Sequence, residues 1–398
     1  MLRHLCKLAW KRKSRNFMLS LEILLAFAIV FAIAAFGLHN WQLYRMPLGF
    51  QSQDVWSVTL KTGAVKGGSR DAVDRFRRAM LELPEVRNVA IASFAPYAMS
   101  TSSATMQAPR GATVQTDQLE ASDSFAAVLA LDVVEGRWFG PGDDGAGTAP
   151  VVINRKLAAA LFPGKSAVGQ VFTEQEAGAK RHTVIGVVSD YRAKGELGTP
   201  GNFLFERFDT GGGVNEAERR AGTLLLHLQP GVSRAFESRL HARLKAVRND
   251  WNYEITPLAD MRGTMLKSAL LPLIILSILG AFMLLMVAFG LFGALWQNTT
   301  QRIPEIGLRR ALGARASDIY GQIIGEQFLL SSGAMVLGLL LLVQLPLTGA
   351  LGANLDWTVF CGAAGLSMGV IYLLSLLCSL YPGWRASRLS PTQALHHE

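Results

Sequence analysis

At 398 residues, half of them hydrophobic and only 17% charged, with a mean hydropathy of +0.26, the chain is too apolar for an ordinary soluble enzyme of its size. Its net charge of +9 raises a nucleic-acid reading, which the placement of the charges removes below. The three cysteines, Cys6, Cys361 and Cys378, leave the long middle of the chain without a thiol, so neither a disulfide framework nor a cysteine-based zinc site is available there.

Four apolar runs reach the roughly 20 residues that a spanning helix requires. In chain order they divide the sequence into a basic N-terminus (1–16), a first span (17–38), a long polar region (39–267), a second span (268–296), a short basic connection (297–318), a third span (319–345), a short loop (346–356), a fourth span (357–381) and a tail (382–398). Only Ser20 and Glu22 interrupt the first run. Small residues near position 33 resemble a signal cleavage site, but the run is longer than a signal h-region, and an uncleaved anchor is the better reading.

Orientation follows lysine and arginine. Arg3, Lys7, Lys11, Arg12, Lys13 and Arg15 precede the first span; Arg302, Arg309, Arg310 and Arg315 lie between the second and third; Arg385 and Arg388 follow the fourth; residues 346–356 carry none. All three basic segments and both termini are therefore expected in the cytoplasm. Residues 40–267 hold 27 basic and 24 acidic side chains, so they account for only +3 of the +9. The charge is a topology signal, and no nucleic-acid partner is read from it. Glu22 and Glu326 are carboxylates at shallow depth within spans; Glu326 is expected to pair with Arg309, Arg310 or Arg315. Gly280, Gly290 and Gly293, with Gly362, Gly365 and Gly369, offer small faces for helix packing.

The region between the first two spans reads as mixed α and β. Strand-like runs occupy 55–60, 150–153, 182–188 and 222–228. Helix-like runs occupy 69–83, where Val73, Phe76, Met80 and Leu83 recur at helical spacing, and 122–131, 155–161 and 234–247. The order suggests two subdomains, one joining 55–91 to 223–255 and the other, about 95–205, inserted into it. The fold class expected is an α-helical membrane protein with four transmembrane helices, N-in and C-in, and a large α+β extracytoplasmic domain between helices 1 and 2. Gly211 to Gly213 reads as a surface loop, since no Lys-Ser/Thr pair follows it. His182, His227 and His241 lack metal-ligand spacing, Asp143 and Asp144 sit in a turn, and Ser124 and Ser189 lack a nucleophile elbow. His396 and His397 read as a polar tail. No catalytic residue and no metal site are read from the sequence, and the chain is expected not to be an enzyme.

The basic connection carries the most information. Pro304 suits a helix start, Glu305 its positive end, and Arg309, Arg310 and Arg315 its negative end. Ile306, Leu308 and Leu312 would be apolar anchors in a partner's groove, or else would hold an interfacial helix in the headgroups.

Three segments resemble one family, the MacB/FtsX-type permeases of ABC transporters, which include LolC and LolE. They are Arg302-Ile-Pro-Glu-Ile-Gly-Leu-Arg-Arg-Ala-Leu-Gly-Ala-Arg315 with Asp318 and Glu326; the succession Val134 to Phe139, Pro150 to Asn154, Leu161 to Gly164, Val168 to Gln170 and Val184 to Val188; and Tyr381 to Pro391 with Ala394 and Leu395. The resemblance implies a MacB-like periplasmic core domain and an FtsX-like membrane domain in a bacterial inner (cytoplasmic) membrane, surrounded by membrane lipid. It implies a non-catalytic lever, paired with a second permease copy (identical or homologous) and in some cases a periplasmic adaptor. A cytoplasmic ABC ATPase would bring the ATP and Mg. No G-x-x-x-x-G-K-[ST] occurs in the sequence, so that ATPase is expected on a separate subunit. The coupling residues implied are Arg302, Glu305, Ile306, Gly307, Leu308, Arg309, Arg310, Ala311, Leu312, Gly313, Ala314 and Arg315. A stalk over 258–271 and an outward extension of the first span over 37–44 would carry motion. Lipoprotein release, FtsX-like control of a cell-wall hydrolase and, in a different class, a membrane-anchored sensor or binding module are the alternatives.

Overall fold

The computed structural model describes residues 13–61, 71–108, 111, 113–143, 148–175, 180–208, 222–349 and 355–387. The 211–213 loop, Asp144, the tail histidines, Arg388 and the basic residues before Lys13 lie outside these, as does the side chain of Arg310. The helices are α1 (Lys13–Arg45), α2 (Asp71–Leu81), α3 (Phe125–Leu129), α4 (Arg155–Leu161), α5 (Phe236–Val247), α6 (Leu258–Gln301), α7 (Ile303–Ala311), α8 (Ala316–Leu342), α9 (Gln344–Thr348) and α10 (Trp357–Ser387). The strands are β1 (Val55–Lys61), β2 (Val86–Ala92), β3 (Ser102–Gln107), β4 (Thr113–Ala121), β5 (Val133–Gly136), β6 (Ala149–Asn154), β7 (Val171–Glu174), β8 (Arg181–Val188), β9 (Phe203–Arg207), β10 (Thr223–Leu228) and β11 (Asn252–Pro257). Two compact units result, Met1–Gln42 with Leu270–Glu398, and Leu43–Ala269.

In the first unit, α1, α6, α8 and α10 are each long and apolar enough to cross a membrane. Ile23, Phe27, Leu291, Met335 and Ile371 bury one another at the centre. Side chains of α1 press on bare glycine backbone elsewhere: Glu22 on Gly290, Ile33 on Gly280, Phe27 on Gly338 and Leu38 on Gly362. A Cβ on Gly293, Gly365 or Gly369 would meet nothing within 4 Å, and all three are exposed. A buried polar seam joins α8 to α10, with the Ser331 and Ser375 hydroxyls 2.8 Å apart and Ser332 2.8 Å from the Tyr372 hydroxyl. Outward, Ile274, Ile278, Phe282, Met286 and Phe289 of α6 are all more than half exposed, an apolar stripe suited to hydrocarbon and not to water.

The second unit begins with four antiparallel strands in the order β11-β1-β10-β2, with α2 crossing between β1 and β2 and α5 between β10 and β11, a split βαβ arrangement. Phe76 and Met80 of α2 and Leu240 and Leu244 of α5 face the sheet, where Val58, Leu224 and Leu226 are fully buried. Each helix is amphipathic at its own period, so one apolar stripe covers one sheet face.

Between β2 and β10 the chain builds a second body. Strands β4-β3-β7-β8-β6-β9 pair in sequence, and a parallel β9–β4 pairing (Asp117↔Phe203 to Ala121↔Arg207) closes them into a six-stranded barrel. Closure leaves no open edge among these six. One apolar cluster draws Met106, Val151, Ile153, Phe172, Val184 and Leu204, with Val114 against it, from all six strands; side chains from every wall meet only inside. A second cluster, with Phe125, Phe205, Tyr191 and Leu119, packs the barrel's outer wall on Ala90, Ala92 and Leu225 of the split βαβ sheet. The 122–131 helix expected from sequence is only α3, because Ala130 takes a left-handed conformation (φ 49°) and ends it.

Candidate ATPase-coupling site

The turn between α6 and α8 is built locally. The Arg302 N–H donates to the Thr299 carbonyl and α7 starts at once, with Pro304 in its first turn, where a missing N–H removes no helical bond. Gly313, at φ +96°, ends the segment, and the Asp318 carboxylate accepts from the Arg315 backbone N–H at 3.0 Å to open α8.

A polar ladder ties α7 to α8. Arg302 donates to Glu326 at 2.6 Å, Gln322 donates to the other Glu326 oxygen at 3.0 Å, Arg309 donates to Gln322 at 2.7 Å, and Arg309 also donates to Glu305 at 2.6 Å. The expectation that Glu326 pairs with Arg309 or Arg315 is corrected here: among the described side chains its cationic partner is Arg302, and Arg310 lies outside them. The two helices run antiparallel, so the start of α7 meets the deeper part of α8 while Arg309 reaches only Gln322, one turn nearer the cytoplasmic end. The pair is mostly screened from solvent, with side-chain exposures of 15% and 21%.

The predicted residues divide into two faces. Ile306 is 6% exposed, sealed against Ile319 and Ile323 of α8, and Gly307 beside it is buried. Ile306 therefore holds the helix to its own chain and is no docking anchor. Glu305, Leu308, Ala311, Leu312, Gly313 and Arg315 are exposed, with Arg309 and Ala314 intermediate. Leu308 at 58% and Leu312 at 80% leave apolar surface with no cover of its own.

In the barrel unit the other shared segments are packing devices. Gly136 (φ +69°) and Gly186 let β5 and β8 touch; a Cβ on either would strike the opposing backbone at Ile185 or Arg137. We expect Gly136→Ala to cost about 2–4 kcal/mol, summing left-handed strain and collision, read as a lowered unfolding midpoint in denaturant. Trp138 stacks on Phe125 and meets Phe205 edge-on. Asn154, 2% exposed, caps α4 through Leu157, accepts from Phe203 N–H, and donates to the Gly201 carbonyl, joining two chain segments with three bonds from one amide.

Arg137 grips the Asp143 carboxylate with two bonds of 2.5 and 2.7 Å, and the Gly140 N–H adds a third. These hold Asp143 below the usual carboxylate range, Arg137 contributing most. Stability from this group is complete above its unfolded pKa of about 3.9 and is lost as pH falls through the lower folded value. We therefore expect Asp143→Asn to flatten the acid limb of a pH–stability curve below about pH 4 while lowering stability at neutrality.

Sequence reasoning missed Arg192. It is 3% exposed and donates to the carbonyls of Leu43 (2.9 Å), Met46 (3.0 Å), Gly198 (2.9 and 3.3 Å) and Glu196. Leu43 and Met46 flank the end of α1, so the guanidinium caps a helix C-terminus. The neighbouring Glu196 is bound by Arg262 of α6, whose guanidinium that bond holds further above its ordinary value. One loop thus holds the outward ends of α1 and α6 within the same unit.

The MacB-like periplasmic core domain family matches residues 21–242, and the FtsX-like permease C-terminal family matches residues 269–391. The chain belongs to the MacB family of ABC transporter permeases. Among relatives, the permease is 23% identical over 402 residues to the macrolide export ATP-binding/permease protein MacB of Bdellovibrio bacteriovorus, covering 97% of this chain and 60% of that one. It is 28% identical over 293 residues to MacB of Nitrobacter winogradskyi (71% of this chain, 44% of that one). To the probable syringafactin export protein SyfD of Pseudomonas syringae it is 26% identical over 278 residues (69% and 41%). The permease thus spans less than two thirds of the length of these curated relatives. The periplasmic region of MacB from Actinobacillus actinomycetemcomitans aligns at TM-score 0.40 and 15% identity, over 56% of this chain and 97% of that one. The extracellular domain of the transporter YknZ from Gram-positive bacteria aligns at TM-score 0.34 and 14% identity, over 50% and 99%.

Proposed function

We propose that this permease is moved by a separate cytoplasmic ABC ATPase, which supplies the ATP and Mg, and that the movement does work on the periplasmic side of a bacterial inner membrane. The carrying observation is the divided surface of α7 and its flanking residues, where Leu308 and Leu312 are bare while Ile306, Arg302 and Arg309 bind the segment to α8. A helix docked on one face and fixed on the other transmits displacement instead of absorbing it. The exposed glycines Gly293, Gly365 and Gly369 suit close approach by a second permease copy. Helices α1 and α6 each run on into residues 43–269, where the Arg192 and Glu196 loop holds both ends and would pass their relative shift to the barrel. Export of a cargo, as the names of the relatives suggest, fits this lever.

The test is copurification of the permease with an ABC ATPase from a neighbouring reading frame, followed by ATP hydrolysis in lipid nanodiscs. We expect a stable complex whose hydrolysis rate differs several-fold from that of the ATPase alone. An ATPase that neither binds nor responds would favour the membrane-anchored binding module.

A further inference from the structure

We infer that the barrel interior holds a divalent transition-metal site, of zinc type, formed by Glu174, His182 and Glu206. Side chains alternate along a strand, and Phe172, Val184 and Leu204 belong to the interior cluster. Glu174 on β7, His182 on β8 and Glu206 on β9 each lie two residues from one of these and share their face. Their ligand atoms lie within 4.8 Å of one another, and His182 Nε2 is 3.5 Å from a Glu174 oxygen.

His182 points to an occupant. Its side chain is fully buried, tilted against the Phe172 ring at 5.3 Å, and neither ring nitrogen has a hydrogen-bond partner among the described residues. Buried imidazole nitrogens are almost always satisfied, so a fully buried imidazole left unsatisfied beside two carboxylates is an exception that needs a cause. The carboxylates are themselves largely enclosed, at 19% and 15% exposed, and Lys180, 3.8 Å from Glu206 and 55% exposed, can offset only one of their charges.

The donor set selects the ion. One imidazole and two carboxylates with a fourth position for water is a zinc-type set; calcium and magnesium prefer oxygen alone. A tetrahedral zinc with ligands at about 2.0–2.1 Å holds them roughly 3.4 Å apart, the spacing that Glu174 and His182 already have, and closing the rest by up to about 1.4 Å completes the set. His182 Nδ1 finds no acceptor among the described residues, so affinity should be about 10- to 100-fold below that of a site with a full outer shell. The three ligands come from three strands, and no spacing in the sequence announces them. Bound metal would brace β9 to β7 and β8 across the interior.

The test uses the full-length permease in detergent, carrying a tag without histidine and H396A/H397A to remove the tail as a competing chelator. After treatment with a chelator, zinc chloride is titrated calorimetrically and melting is followed with and without metal. We expect one zinc per chain, a higher melting temperature with zinc, no response to magnesium, and at least a tenfold loss of affinity in both H182Q and E206Q. No zinc uptake, or uptake that E206Q leaves unchanged in a chain that melts normally without metal, would overturn the site even if H182Q misfolds.

Discussion

Replacing Leu308 and Leu312 together by aspartate is expected to abolish copurification with the ATPase while moving the permease's own melting temperature by no more than about 2 °C. Both side chains are exposed, at 58% and 80%, so the isolated chain loses little by the change. In the complex, each would be an apolar anchor of the kind that contributes about 2 kcal/mol or more on truncation. Losing both weakens association by roughly three orders of magnitude, before the cost of burying two carboxylates is added. Ile306→Asp is the contrasting variant. It forces a charge against Ile319 and Ile323, so it should lower stability and binding together. If the double exposed variant still copurifies and hydrolyses ATP at the unmodified complex's rate, α7 is not the docking element.

The second large effect is expected at Arg192. Arg192→Met should destabilise the outer unit by about 3–5 kcal/mol, because the side chain's volume is kept while four carbonyls, two of them buried, lose their donor. Arg192→Lys retains the charge but not the planar fork, and should recover less than half of the loss. Unfolding followed by tryptophan fluorescence would read both. In the assembled transporter we expect Arg192→Lys to keep ATPase binding but to separate hydrolysis from periplasmic work, since α7 is untouched. A methionine variant within about 0.5 kcal/mol of the original would show that the loop is not held by this side chain.

The membrane helices and several outer strands were legible because their apolar residues are continuous or regularly spaced. Residues 182–188, read as a strand, lie in β8, and 155–161, read as a helix, coincide with α4, which Asn154 caps. Strands β3 and β4 were not read. They are rich in Ser, Thr and Gln, with only Met106 and Leu119 as fully buried large side chains, and their pairing holds them where composition would not. The closed barrel could not be read either, because it depends on the β4–β9 pairing between residues more than 80 positions apart. At the coupling segment the residue types were readable, but the division between a face bound to α8 and a bare face was not. Ile306 and Leu308 are equally apolar, and only the antiparallel course of α8 decides which one it covers. Arg192 was invisible for the same reason: five bonds to carbonyls leave no trace in side-chain patterns.

The split βαβ order has a consequence for how the protein is made. Strand β1 lies between β10 and β11, so both of its neighbours arrive only after the whole barrel insertion, and the last of them ends at Pro257, immediately before α6. Until then Val55, Trp56, Val58 and Leu60 have no partner sheet to bury them. The barrel closes within its own stretch of chain and can form first, as a local event. The split βαβ sheet must wait for a closure across about 200 residues, a slow step with sticky surface exposed. Maturation of this domain is therefore timed by translation of β11, and a ribosome that pauses before residue 252 leaves the cell holding a finished barrel on an unfinished base.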